Sequence, residues 1–263
     1  MYDPSSPLLR SGSEDGAPPA PEAKARFAED RLLDAVIWCE IRPGEILTEA
    51  DAMERFGLTR AAARAGLTRL GYDNWALPQP RTGWLILPVT GALIGQVLEA
   101  RRIAEPMLST ARLDVQARAE LKNIADVIEA LHPRNEAAAI ASFRHYVDRI
   151  DGLLLGAINP FTARHLRKLW HHTARITRFL EDEADSTIFR RDDINALVKA
   201  VLSEDAEAVA AARLSLIDAQ EAFFLRQLLK SEAPLTPGSG VIARSKQTAA
   251  PNRRPSWLQP SKD

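Results

Sequence analysis

From residue 91 to residue 230 the chain repeats apolar residues at helical spacing almost without a break. The spacing predicts helices near 92–114, 116–131, 135–158, 161–183, 189–203 and 205–230, joined by short connections. The sharpest punctuation is Asn159-Pro160. Asn159 ends one helix, and Pro160 sits near the start of the next, where its missing N–H would have had no partner anyway. Six helices with no strand signal between them exclude an alternating α/β enzyme and leave an all-helical bundle.

Residues 26–90 have a different texture. In "FAEDRLLDAVIWCEI" apolar residues at 32, 33, 36 and 37 are spaced for a helix, and the Pro-Gly chemistry of "RPGE" (42–45) ends it. "TEAD" at 48–51 is a capping-box pattern, with Thr48 taking a backbone N–H while Asp51 reaches back. A short helix then runs to Phe56 and stops at Gly57. Thr59 caps the next, which runs to about Tyr72. "WALPQPRTGWLILPV" reads as two short strands around a turn at Arg81-Thr82-Gly83. Three helices and a two-stranded wing make a winged helix-turn-helix. The expected fold is therefore mostly α: an N-terminal winged helix-turn-helix plus a C-terminal all-helical bundle.

The third helix, "LTRAAARAGLTRLG" (58–71), sorts by face. Ala63, Leu67 and Leu70 point inward. Arg60 and Arg64, four residues apart, share the opposite face, near the end where a recognition helix meets base edges. A guanidinium there binds guanine with two hydrogen bonds or clamps a phosphate. Small Ala61 and Ala62 let the helix sit deep in the groove, where an alanine methyl meets a thymine methyl. Spacing alone leaves open that Arg60 and Arg64 are ordinary solvated charges. Arg69 lies off that face, toward the phosphate backbone or solvent.

The 263 residues are 46% hydrophobic and 26% charged, with a formal net charge of −1. A nucleic-acid surface must then be a local patch rather than a global field. Residues 1–25 and 231–263, rich in Pro, Ser, Gly and Ala, read as a disordered arm and a disordered tail. The single cysteine, Cys39, excludes an intramolecular disulfide and a cysteine-based zinc cluster, and reads as a small buried filler. No apolar run approaches the ~20 residues that span a bilayer, and the N-terminus has no signal-peptide core. A cytoplasmic protein without membrane contact is the expectation. No phosphate-binding Gly-rich loop, Gly-x-Ser-x-Gly elbow or HExxH motif supports an enzyme.

"RPGEILTEADAMERFGLTRAAARAGLTRL" resembles the N-terminal domain of the GntR family of bacterial transcription regulators. The likeness covers residues from about 27 to 89: the Pro-Gly-Glu turn, Leu-Thr-Glu opening helix two, Phe-Gly-Leu-Thr-Arg, Arg64, Leu67, Leu70 and the wing Gly83. It implies that Thr59, Arg60, Ala61 and Arg64 meet operator DNA, with Arg81, Thr82 and Gly83 of the wing at the minor groove. The sequence departs from the family in several places. Ala61 replaces a hydroxyl that usually helps hold DNA, and Ala50 stands where some members carry an arginine. Gly66 inside the helix costs ~1 kcal/mol against alanine, tolerable where another backbone packs close. Asn74 stands where the family has glycine after the recognition helix, and it is the next-best residue for a left-handed cap.

The bundle resembles the FCD effector-binding and dimerisation subgroup of that family, through "VLEARRIAEPM" (97–107), Asn159-Pro160 and "RRDDINALVKAVLSEDAEAVAAA". Many such members hold a divalent metal with one Asp and three His. Counted from Asn159-Pro160, those positions fall on Tyr146, Ile150, Ile194 and Leu216 or Ile217, none a good ligand. They extend the apolar stripe Ile140, Phe143, Val147, Ile150 and Leu154, so packed core and no metal or other cofactor is the expectation. His171 and His172 point about 100° apart on a helix, and His132, His145 and His165 lie elsewhere. Arg101 matches a position where the family's arginine faces the effector. With Arg175 and His172 it is the candidate effector-binding set, a buried guanidinium suiting a carboxylate. An ion pair of Arg101 with Glu99 or Glu105 is the equal alternative.

These expectations describe a dimeric transcription regulator that binds double-stranded operator DNA as a homodimer and answers a small molecule, with a carboxylate as the candidate class, without the usual metal. The competing readings are a winged-helix protein-interaction scaffold and a ligand-independent regulator with a degenerate pocket. Salt dependence separates DNA from protein contacts, because phosphate contacts release counterions.

Overall fold

The computed structural model describes residues 21–131, 137–180 and 191–230. The elements are α1 (Pro21–Ile37), β1 (Ile46–Leu47), α2 (Glu49–Phe56), α3 (Arg60–Tyr72), β2 (Ala76–Gln79), β3 (Gly83–Ile86), α4 (Gly91–Ala104), a 3-10 segment (Glu105–Thr110), α5 (Val115–Leu131), α6 (Ala137–Gly156), α7 (Pro160–Leu180), α8 (Arg191–Leu202) and α9 (Ala206–Lys230). This is a winged helix-turn-helix head followed by a helical bundle. The readings of residues 1–20 and 231–263 and of His132 lie outside the described residues. Pro21–Ala25, read as the end of the arm, instead opens α1.

In the head α3 packs against α1 through Gly66. A β-carbon there would meet Leu32 Cδ1 at 2.8 Å and the Ala28 carbonyl oxygen at 3.2 Å. That close approach explains a glycine in mid-helix. Ala63, Leu67 and Leu70 face inward, with Leu32, Val36, Ile41, Leu47 and Ile86 around them. The Thr48–Asp51 capping box forms in both directions: the Asp51 amide donates to Thr48 Oγ1 at 3.1 Å, and the Thr48 amide donates to Asp51 Oδ2 at 2.9 Å. Gly57 ends α2 at φ 63°, and Asn74 makes the left-handed turn after α3 at φ 61°.

Two local expectations change. α1 ends at Ile37, before Arg42-Pro43-Gly44, because the chain turns left-handed at Cys39, φ 57°. Cys39 is half-buried rather than a core filler, and its thiol donates to the Arg175 carbonyl at 3.7 Å. A third strand, β1, joins the wing in the antiparallel order β1-β3-β2, with Ile46 and Leu77 both opposite Leu85. Two residues are too few to show the alternation that reveals a strand.

In the bundle the first long helix stops at Ala104, and Glu105–Thr110 continues as a 3-10 segment with Pro106 at its start. Proline has no N–H to give to the preceding turn and its ring crowds that turn's carbonyl. Leu121, Ile124, Ile128, Ile150, Leu154, Leu166, Ile194, Leu197 and Leu216 build the main core. A second cluster of Val97, Leu98, Ile176, Ile217, Phe223 and Phe224 lies where α4, α7 and α9 meet. Asn159 caps α7 by accepting from the Phe161 amide at 2.9 Å. Among the described residues no helix is long and apolar enough to cross a membrane.

Candidate functional site

α3 presents its N-terminal turn to solvent. Thr59 caps it, accepting from the Ala62 amide at 3.3 Å, so its hydroxyl is already engaged in holding the helix start. The Arg60 and Arg64 side chains are 76% and 64% exposed and converge on one carboxylate, that of Glu49 at the start of α2. Arg64 Nε donates to Glu49 Oε1 at 2.7 Å, and Arg60 Nε reaches Oε2 at 3.5 Å. The Arg64 hydrogen bond is the main reason the Glu49 carboxyl is held below the ordinary range. Glu49 was missed in the sequence reading. A helix-opening glutamate looks like dipole compensation, and only the packing of α2 on α3 brings it beneath both arginines.

Ala61 is exposed on the same surface, whereas Ala62 is buried with Ala63. Ala62 thus belongs to the head's core and not to a groove-facing surface. Arg69 is exposed, as expected of a residue off the reading face, and pairs with Asp73 at 2.7 Å. In the wing Arg81 and Thr82 are exposed at the tip, Arg81 at φ 67°. Gly83 is half-buried at φ 130°, and a β-carbon there would meet the Leu47 carbonyl oxygen at 2.7 Å. Glycine is needed at 83 so that β3 can lie against β1, a structural requirement independent of any contact made by the tip.

The bundle's polar residues divide into two groups, and the structure does not bring Arg101 together with Arg175 and His172. Arg101 is buried and pairs through Nε with Glu105 four residues on, while its Nη1 donates to Gln220 and, at 3.3 Å, to Thr173 Oγ1. Glu105 is the centre of this network: Trp170 Nε1 and Arg213 Nε each donate to it at 2.8 Å. Arg213 also reaches Asp151 at 2.7 Å. Burial opposes the charge on Glu105, but the Arg213 and Arg101 guanidiniums together hold its carboxyl below the usual value. Burial also opposes the charge on Arg213, and Asp151 and Glu105 more than offset it. The sequence named Glu105 as the alternative partner of Arg101, and that pair forms, whereas Arg213, Asp151 and Gln220 were not singled out. The i,i+4 spacing of Arg101 and Glu105 was the one available signal.

Arg175 and His172 lie instead where α7 meets the head. The His172 imidazole stacks on Trp75, which precedes β2. Arg175, wholly buried, donates through Nη2 to the Leu87 carbonyl just after β3. One turn further, the Arg178 guanidinium sits 3.1 Å from the ring centroid of Trp38. The positions that would carry metal ligands are packed apolar: Ile150, Ile194, Leu216 and Ile217 are core residues, and Tyr146 packs against the same core. Among the described residues no cluster of three or more His, Cys, Asp or Glu is placed to hold a metal ion.

No family model matches the sequence, and no curated protein matches it. Solved structures do. The chain superposes on McbR/YncC of E. coli with a TM-score of 0.65 at 17% identity, covering 78% of this chain and 98% of that one. It superposes on a protein assigned as a GntR transcriptional regulator from Rhodococcus sp. RHA1 with a TM-score of 0.59, again at 17% identity and with coverage of 78% and 98%. At such identity the likeness shows a shared fold, one that runs through head and bundle alike.

Proposed function

We propose that the chain is a sequence-specific DNA-binding transcription regulator of the GntR type, acting as a homodimer and answering a small molecule through its helical bundle. The observation that carries this reading is the exposed N-terminal turn of α3, where Arg60 and Arg64 stand side by side beside a wing tipped by Arg81. Paired guanidiniums on one helix face recognise guanine edges or phosphates, and the shared fold with a GntR regulator supports the same role. Thr59, Arg60, Ala61 and Arg64 then meet the major groove, and the wing at Arg81, Thr82 and Gly83 the minor groove. A single head covers a half-site, and a two-fold operator asks for two-fold protein.

The test is a gel-shift titration on operator sequences recovered by genomic footprinting. Arg60→Ala and Arg64→Ala should each weaken binding, and wild-type affinity should fall steeply with salt. Unchanged affinity in both variants defeats the reading, and affinity indifferent to salt favours a protein partner. One observation favours a narrower version for the bundle interior. Glu105 already supplies the carboxylate that Arg101 would otherwise offer to an effector, so that interior is self-neutralised.

A further inference from the structure

We infer that the seam between the head and α7 is a binding site for a compact oxyanion, a carboxylate or phosphate group, held by Arg175. Its regulatory meaning rests on the DNA-binding reading above, but the binding itself does not.

Arg175 has no exposed surface. One nitrogen, Nη2, donates to the Leu87 carbonyl, while the Nε and Nη1 donors have no partner among the described residues. The Nδ1 of His172, one turn back on the same helix face, is also buried and has no partner among the described residues. A neutral carbonyl can satisfy a donor but cannot neutralise a guanidinium. Buried charges are normally met by an opposite charge. Burial pushes the Arg175 guanidinium down to about 10, and among the described residues the Cys39 thiol alone acts in the other direction. The contrast with the bundle interior is direct: Arg101 and Arg213 share Glu105, and Arg213 also has Asp151.

The surroundings fit an oxyanion better than an apolar or cationic ligand. α7 brings Arg175, the Trp75 ring flanks His172, and the Leu87 carbonyl and the turn after α1 at Cys39 lie against the same stretch of α7. A carboxylate or phosphate accepts from both free guanidinium donors and from the Nδ1–H of a neutral imidazole tautomer, and it supplies the missing charge. Because Arg175 is enclosed, such an ion reaches it only by parting the head from α7. Occupancy and the closed seam therefore compete, and the ion shifts the head's position relative to the bundle.

The experiment is calorimetric titration of the full chain with sodium phosphate and, separately, sodium acetate, at fixed ionic strength set with chloride. The wild type is expected to show saturable binding of at least one of the two, which also identifies the ligand class. Arg175→Gln should abolish it. Arg175→Lys, which keeps the charge and protects against a mere folding failure, should weaken it about tenfold, the loss typical of one charge-assisted hydrogen bond. Arg112→Gln removes an exposed positive charge elsewhere and should leave it intact. No saturable heat with either salt, or equal binding in Arg175→Gln, overturns the site. Neither result touches the gel-shift behaviour of Arg60 and Arg64, so the two readings fail separately.

Discussion

The Trp75 indole and the His172 imidazole stack with ring centroids 3.8 Å apart and planes 19° from parallel. One ring belongs to the head and the other to α7, and both are buried. Burial, with help from the nearby positive charge of Arg175 and Lys168 and from His171, pushes the His172 imidazole down to about 3. The stack is therefore made by the neutral ring.

This fixes a pH dependence. An unfolded histidine takes up its proton near 6.5, whereas folded His172 resists until about 3. Between those values the unfolded state binds more protons, so stability rises with pH. The contribution is complete above about 6.5 and is lost as pH falls through the window, at up to about 1.4 kcal/mol per pH unit. His172→Phe keeps the stack and removes the titration. Urea denaturation across that range should show a flatter dependence in the variant, and identical slopes would refute a buried neutral His172.

Helix geometry separates His172 from Arg101. His172 and Thr173 are neighbours, yet 100° of helical rotation sends one to the head's Trp75 and the other to Arg101 in the bundle. α7 carries two buried faces with two different partners, and no spacing in a single sequence tells them apart. The faces of α3 were legible because its other side meets solvent, so the inward set Ala63, Leu67 and Leu70 stands out against Arg60 and Arg64. The Glu49 bridge was not legible, and of the Glu105 network only the pair with Arg101 was. Each joins residues from different helices, and periodicity reports only which face is buried, never against what.

Gly66 offers a sharp contrast with Gly152. Alanine gains about 1 kcal/mol over glycine in a helix interior. At Gly152 of α6 a β-carbon would meet nothing within 4 Å among the described residues, so Gly152→Ala is expected to stabilise by about that amount. At Gly66 the new atom would press on Leu32 Cδ1 and on the backbone oxygen of Ala28, and backbone cannot yield cheaply. Gly66→Ala should therefore destabilise, by about 1–3 kcal/mol as overpacked cores do. Thermal melts of the two variants should move in opposite directions.

Glu105→Ala should be among the most damaging single changes. It leaves Arg101 and Arg213 buried without their shared carboxylate and frees the Trp170 N–H. Removing one partner of a buried ion pair costs about 3–5 kcal/mol, and denaturant midpoints would read it. Because the folded carboxyl lies below its ordinary 4.5, its stabilisation is present above that pH and is lost as pH falls through the folded value. Glu105→Gln, which keeps the shape, should recover part of the loss and remove this acid limb.

The last expectation concerns how DNA must compete for the reading surface. Glu49 holds Arg64 through two hydrogen bonds, at 2.7 and 3.3 Å, and touches Arg60 at 3.5 Å. A phosphate or guanine approaching either guanidinium has to take the place of that carboxylate, or share the arginine with it. Glu49 also carries a negative charge to the surface that would face the DNA backbone. Glu49→Gln removes the charge and keeps a polar group of the same shape at the start of α2. It should tighten operator binding several-fold and should steepen its salt dependence, because more of the arginine charge is then available to displace counterions. The comparison with Arg64→Ala is decisive: the double variant should bind no better than Arg64→Ala alone if Glu49 acts chiefly by occupying Arg64. An undiminished gain in the double variant would show that Glu49 acts instead by direct repulsion of DNA, and weaker binding by Glu49→Gln would mean that the bridge preorganises the arginines for contact.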